Sequence, residues 1–170
     1  LNASGGRGQG HGLAASRGPT TFAASECSEA GVTDVRLFLA AALLAGAAPA
    51  PCGQWLTQDR GGVIEITACG PALCGRIVGL MPKRDGSQPV DWQGRSDCGL
   101  QIIDHMAQTA ADRWRGSILN PEDGRRYDAE LWIDPAGQLQ LRGFILIPLL
   151  GSTQTWTRYN GAVGPACHMG

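Results

Sequence analysis

A chain of 170 residues has room for one domain, and two would be cramped. Its 14 Lys and Arg against 15 Asp and Glu leave a net charge of −1, which excludes the basic surplus needed to hold a nucleic-acid backbone. The 25 glycines and 10 prolines fall unevenly, and their distribution divides the chain.

Residues 1–31 mix Gly, Ala, Ser and Arg with almost no aliphatic side chains and no periodicity. Such a segment cannot bury enough apolar surface to offset its ordering entropy, so it reads as a disordered or mis-assigned upstream extension. "VRLFLAAALLAGAAPAP" follows at 35–51, with Arg36, an apolar run from Leu37 to Leu44, then small residues and prolines. Charge, hydrophobic stretch and small residues in that order predict a secretory signal peptide over 32–50. The run is short for a bilayer, which takes about 20 apolar residues, so no stable transmembrane anchor is expected. A buried Ala/Leu helix is the alternative, and the missing polar face and Pro49 and Pro51 argue against it. Ala45-Gly46-Ala47 suits cleavage with a mature start near Ala48, and Val32 would be the initiator if residues 1–31 are not translated.

The remainder, 51–170, is expected to form a single domain. Its β-rich runs are Gly53–Thr57, Val63–Cys69, Leu73–Met81, Gly99–Met106, Arg113–Leu119, Arg126–Ile133, Gln138–Ile147 and Thr153–Tyr159. Ile64, Ile66 and Ala68 alternate with Val63, Glu65 and Thr67, and Tyr127, Ala129, Leu131 and Ile133 with Asp128, Glu130, Trp132 and Asp134. A period of two marks strands dry on one face and wet on the other. Asp59-Arg60-Gly61-Gly62, Asn120-Pro121-Glu122-Asp123-Gly124 and Asp134-Pro135-Ala136-Gly137 supply hairpin turns, while Pro82 to Cys98 is a longer polar loop. A meander of about eight strands predicts an all-β fold, an antiparallel up-and-down barrel, which also removes exposed edges.

Cys52, Cys69, Cys74, Cys98 and Cys167 lie in this domain, and oxidation is the default fate of cysteines in an exported chain. Cys69 and Cys74 flank Gly70-Pro71-Ala72-Leu73, so a hairpin would bring them to bridging distance. Cys98 with Cys167 is the natural second pair, leaving Cys52 over. Free buried thiols, or a metal held by Cys98 and Cys167-His168, are the alternatives, the latter without a C-x-x-C spacing. Trp55 in "GQW" on the first strand and Arg158 in "TQTWTR" on the last match the seam of lipocalin-like barrels, where a guanidinium covers an indole that plugs the barrel end. Ordinary core packing of Trp55 and Trp156 is the alternative.

"GQWLTQD" (53–59), "ACGPALCGRIVGL" (68–80), "CGLQI" (98–102), "WRGSILNPEDGRRYDAELWI" (114–133) and "LQLRGFILIPLLGSTQTWTR" (139–158) together resemble an uncharacterised bacterial family, domain of unknown function 2147. Ser117 replaces a usual second glycine, Gln88 an expected Asn before Pro89, and Trp132 a common polar residue. The resemblance implies an exported, lipocalin-like (calycin-type) barrel, and it carries over no catalytic residue.

The residues themselves offer little chemistry. His105 sits in a strand beside Asp104, but adjacent strand residues point to opposite faces, so no dyad is expected. "GRSDC" (94–98) only approaches a nucleophile elbow. Arg113, Arg115, Arg125 and Arg126 read as cross-strand partners of acids rather than a basic patch. No enzyme, metal or cofactor is therefore expected. The leading expectation is a periplasmic or secreted module binding a small apolar or amphiphilic ligand, its binding residues not identifiable from sequence. The alternatives are a structural or interaction protein of the envelope with a filled barrel, and an enzyme using Arg142, Arg158 and Asp123 or Asp128.

Overall fold

The computed structural model describes Cys27 and residues 50–169. The upstream extension (Cys27 apart) and the leader (Ala50 apart) lie outside the described residues. Eight strands follow in order: β1 (Gly53–Leu56), β2 (Gly62–Cys69), β3 (Ala72–Leu80), β4 (Gln101–Ala110), β5 (Arg113–Leu119), β6 (Arg126–Ile133), β7 (Leu139–Phe144) and β8 (Ser152–Arg158). Each pairs antiparallel with the next, and β1 pairs with β8 through Trp55↔Arg158 and Leu56↔Thr157, closing the barrel. The alternation seen in the sequence sets the inside. Ile64, Ile66, Met106, Trp114, Leu131, Leu139, Leu141 and Trp156 converge in one buried cluster.

Where the strands depart from their predicted limits, local chemistry explains it. β7 stops at Phe144 because Leu146 takes φ 71° and Pro148 opens a 3-10 turn, Pro148–Leu150. A proline has no N–H to give the ladder, and Arg142 fixes the new path, its Nε donating to the Pro148 carbonyl (2.6 Å) and Nη2 to that of Leu149 (3.2 Å). Ile145, Leu146, Ile147, Leu149 and Leu150 are left exposed on this loop. The β2–β3 connection is tighter than a four-residue loop. Cys69 pairs with Ala72, so only Gly70 and Pro71 turn, with Gly70 at φ 70° as the mirror-image hairpin turns demand.

β4 begins at Gln101 and runs on to Ala110, bulged between Asp104 and Ala107, with His105 at φ 46°. Gly116 on β5 receives this bulge. A Cβ there would lie 2.6 Å from the His105 carbonyl oxygen and 2.7 Å from that of Asp104. The chain after β8 returns along the outside of the barrel. His168 bridges to Leu80, the Cys167 sulfur lies by the Ile77 carbonyl, and Met169 packs against Gly79 beside Val63. That tail shields Val63, which points outward yet is wholly buried.

Candidate functional site

The two ends of the barrel are built differently. At the end where the chain enters, Trp55 is fully buried and its Nε1 donates to the Pro51 carbonyl (2.8 Å). The Arg158 guanidinium carbon lies 3.9 Å from the Trp55 ring centroid, and its nitrogens donate to the carbonyls of Cys52 and Ala50. Burial lowers the Arg158 pKa, yet an arginine remains charged at any physiological pH. Gly53 is the counterpart. It adopts φ 113°, and a Cβ would stand 2.5 Å from Arg158 Nη1, so the guanidinium reaches the indole only over a glycine. The arrangement plugs this end.

The opposite end holds a cavity of about 900 Å³. It opens among the β1–β2, β3–β4 and β5–β6 connections and reaches down to Trp156 and Leu141. One wall is aliphatic, with Ile64, Ile77, Leu80 and Ile102, while β7 and β8 contribute Gly143, Ser152 and Gln154. Gln154 Oε1 accepts from the Trp156 indole (2.9 Å), which satisfies the one polar group on the floor. Around the mouth stand Asp59, Lys83, Asp97 and Glu122.

The β3–β4 loop is held over this mouth by its own network. Asp91 Oδ1 accepts the backbone N–H groups of Gln93 and Arg95 (both 2.9 Å), and Oδ2 accepts Arg95 Nε and Nη2 (2.9 and 2.8 Å). Burial opposes ionisation of Asp91, but the Arg95 side chain and the two amides outweigh it and hold its pKa below the usual range. The Trp92 backbone N–H donates to the Pro121 carbonyl (2.9 Å) and its ring lies against Gly124, fastening the loop to the β5–β6 turn. Asp97 is delivered by the same loop and differs in kind. It is buried, lines the cavity, and its Oδ1 has no hydrogen-bond partner. Burial, and then the charge of Asp91, push its pKa up, with Lys83 pulling the other way and Glu122 adding to the rise.

Disulfides join Cys69 to Cys74 and Cys98 to Cys167, each with Cα atoms 5.7 Å apart. The first runs diagonally, since Cys74 faces Thr67 and Cys69 faces Ala72 across the ladder. Cys98 and Cys167 therefore offer no thiolates for a metal with His168. Cys52, left over in the mature-chain reading, is joined here to Cys27 (Cα–Cα 5.4 Å). The two disulfides wholly within the barrel domain, Cys69–Cys74 and Cys98–Cys167, point to an oxidising, extracytoplasmic environment. Among the described residues no helix is long and apolar enough to cross a membrane.

The bulge overturns one expectation. His105 Nδ1 lies 2.6 Å from Asp104 Oδ1, because φ 46° turns the histidine back toward its neighbour. The pair is solvent-facing, with Arg126 Nη1 3.4 Å from the other Asp104 oxygen. Arg142, Arg158 and the candidate carboxylates are not brought together. Arg142 braces the β7–β8 loop, Arg158 covers the plug, and Asp123 accepts the Arg125 amide in the β5–β6 turn. Arg113 and Arg115 stack over Trp132 and Phe144. Sequence reasoning passed over Asp97 and Gly143. A single acid in an aperiodic loop carries no pattern, although "GRSDC" had marked the segment for a different reason.

A family model described as "Uncharacterized protein conserved in bacteria (DUF2147)" matches residues 53–158, from β1 to the end of β8. No curated protein matches the chain. Among solved structures, protein HP1028 from the human pathogen Helicobacter pylori, described as belonging to the lipocalin family, is similar with a TM-score of 0.54 at 19% identity. That likeness covers 64% of this chain and 82% of that one, and it is a likeness of fold.

Proposed function

Because the chain belongs to this bacterial family of uncharacterised proteins and folds as a lipocalin-like barrel, we propose that it is an exported, non-catalytic module that binds a small apolar or amphiphilic ligand. The ligand occupies the open end of the barrel, and the protein works in the periplasm or outside the cell after losing a leader over 32–50. The observation that carries this reading is the cavity of about 900 Å³, aliphatic on one side and polar on the other. It falls within the range of about 300–1,000 Å³ in which small-molecule sites are found. In this reading the Trp55–Arg158 seam shuts the far end, and Cys98–Cys167 holds the β3–β4 loop at the mouth.

Titration with N-phenyl-1-naphthylamine, an uncharged apolar fluorophore, tests the proposal. Saturable binding at one site per chain supports it, and a signal that never saturates overturns it. Native mass spectrometry of protein taken from its own envelope should show a mass above that of the polypeptide. Intact mass of the processed protein tests export in the same run, since cleavage near Ala48 removes Cys27 and leaves Cys52 as a thiol.

The alternative, an interaction protein of the envelope, is favoured by one observation, the exposed Ile145, Leu146, Leu149 and Leu150 on the β7–β8 loop. It predicts that blocking the cavity leaves activity in the cell intact, whereas ligand carriage predicts its loss.

A further inference from the structure

Resting on the reading that the barrel holds a ligand, the mouth indicates what kind of head group that ligand carries. Asp97 is 7% exposed and lines the cavity, and its Oδ1 has no hydrogen-bond donor. A buried acceptor left in this state is unfavourable, and more so when it is charged. The loop does not supply the missing partner. Arg95, the nearest arginine in sequence, has its Nε and Nη2 on Asp91, and no described ion pair includes Asp97 or Lys83. Asp59 needs nothing further, because its Oδ1 accepts Thr57 Oγ1 (2.7 Å) and the Gly61 N–H (3.1 Å).

The charges around Asp97 are mostly negative, with Lys83 the opposing one. Among the described residues Lys83 is the single cation lining the cavity, against the carboxylates of Asp59, Asp97 and Glu122. A ligand carboxylate brought into this mouth would meet a surplus of negative charge in a partly desolvated space, where like charges repel strongly. An ammonium would meet the opposite. Gln88 Oε1, one residue from the Pro89 carbonyl that accepts the Asp97 N–H, is a second buried acceptor without a donor. An amide can present either end, so Asp97 carries the argument.

We propose that the occupant is a cationic amphiphile, an aliphatic body lying along Ile64, Ile77 and Ile102 with an ammonium received by Asp97 at the mouth. The test compares dodecylammonium, dodecanol and dodecanoate at pH 7, below micelle formation, as competitors of N-phenyl-1-naphthylamine on the wild type, Asp97→Asn and Gly143→Phe. Dodecylammonium should compete about tenfold better than dodecanoate, and better than dodecanol. Asp97→Asn should bring the three within about twofold while still binding the fluorophore, which also shows that the variant is folded. Gly143→Phe should weaken all three, because it fills the cavity rather than altering the charge.

Equal or tighter competition by dodecanoate or dodecanol overturns the head-group assignment and leaves the ligand site standing. A preference for dodecylammonium that survives Asp97→Asn, or binding untouched by Gly143→Phe, overturns it as well, since the cation then binds elsewhere. Failure of the wild type to bind the fluorophore or any of the three removes the ligand reading and this inference together.

Discussion

Gly143 and Gly116 both lie at inward positions of the barrel, and adding side-chain bulk should have opposite consequences at the two. A Cβ on Gly143 would find one neighbour within 4 Å, Ile118 Cγ2 at 3.8 Å, which is ordinary contact. The residue lines the cavity, and its φ is not positive. Gly143→Leu therefore removes the entropic penalty of a strand glycine, about 0.5–1 kcal/mol, without strain. Full burial of a leucine would add about 1.5–3 kcal/mol, of which an open cavity returns only part. The sum is stabilisation of about 1 kcal/mol, with probe affinity falling about tenfold as the side chain takes the ligand's place. At Gly116 the same reasoning reverses. The atoms 2.6 and 2.7 Å from its Cβ are backbone oxygens of the β4 bulge, which cannot swing aside as a side chain does. Gly116→Ala should cost about 1–3 kcal/mol. Urea unfolding followed by tryptophan fluorescence measures both, and fluorophore titration measures the site. Equal destabilisation of the two variants would show that the Gly143 wall is not open. A stabilised Gly143→Leu protein with undiminished binding would place the ligand outside the barrel.

Three further outcomes follow from the geometry of the plug, the disulfides and Asp97. Arg158→Ala should cost about 1–2 kcal/mol through loss of the indole stacking, and the cost of Gly53→Ala should shrink in that background, because the clash with Nη1 goes while the φ of 113° stays; additive double-mutant energies would refute the coupling. On the chain-entropy model the Cys98–Cys167 bridge, closing 69 residues, contributes about 4 kcal/mol and Cys69–Cys74, closing 5, about 2 kcal/mol. Paired Cys→Ser variants in urea should keep that order, and a larger loss at the hairpin would contradict it. The raised pKa of Asp97 means that the folded state keeps a proton which the unfolded chain, near the usual 3.8, has released. Its contribution to stability is full below about pH 3.8 and is lost as pH rises through the folded value, so Asp97→Asn should be more stable than the wild type at pH 7 and match it near pH 3. A gap independent of pH would rule this out.

What the sequence disclosed divides along physical lines. Alternation such as Ile64-Glu65-Ile66 is a period-two signal, and a strand forms within each run that carries it, although the ends of some differ. The barrel and its meander were legible for that reason, and the family through the motif stretches that run in order from Gly53 to Arg158. β7 was extended too far because Ile145 to Ile147 are as hydrophobic as any strand, while its end is decided by Pro148 and by Arg142 reaching back to two carbonyls. The Asp104–His105 contact was missed because a rule for regular strands does not survive a bulge, and only the bare Gly116 opposite hinted that one was there. Cys27 was set aside with the segment around it, so its bond to Cys52 was not anticipated.

The cavity was hidden for a deeper reason. Its walls are ordinary inward positions, Ile64, Ile77 and Leu141, indistinguishable by period from those that fill the plugged half of the barrel. The two halves differ through size, with Trp55 and the Arg158 guanidinium closing one end and Gly143 and Ser152 leaving room at the other. A glycine weakens a strand, and an unpartnered buried acid opposes folding, so the open end breaks two rules of stability that the closed end keeps. Both departures border the same cavity. Stability selected alone would fill Gly143 and neutralise Asp97; their presence together is accounted for if the free energy they forgo is recovered when an occupant of matching shape and charge enters.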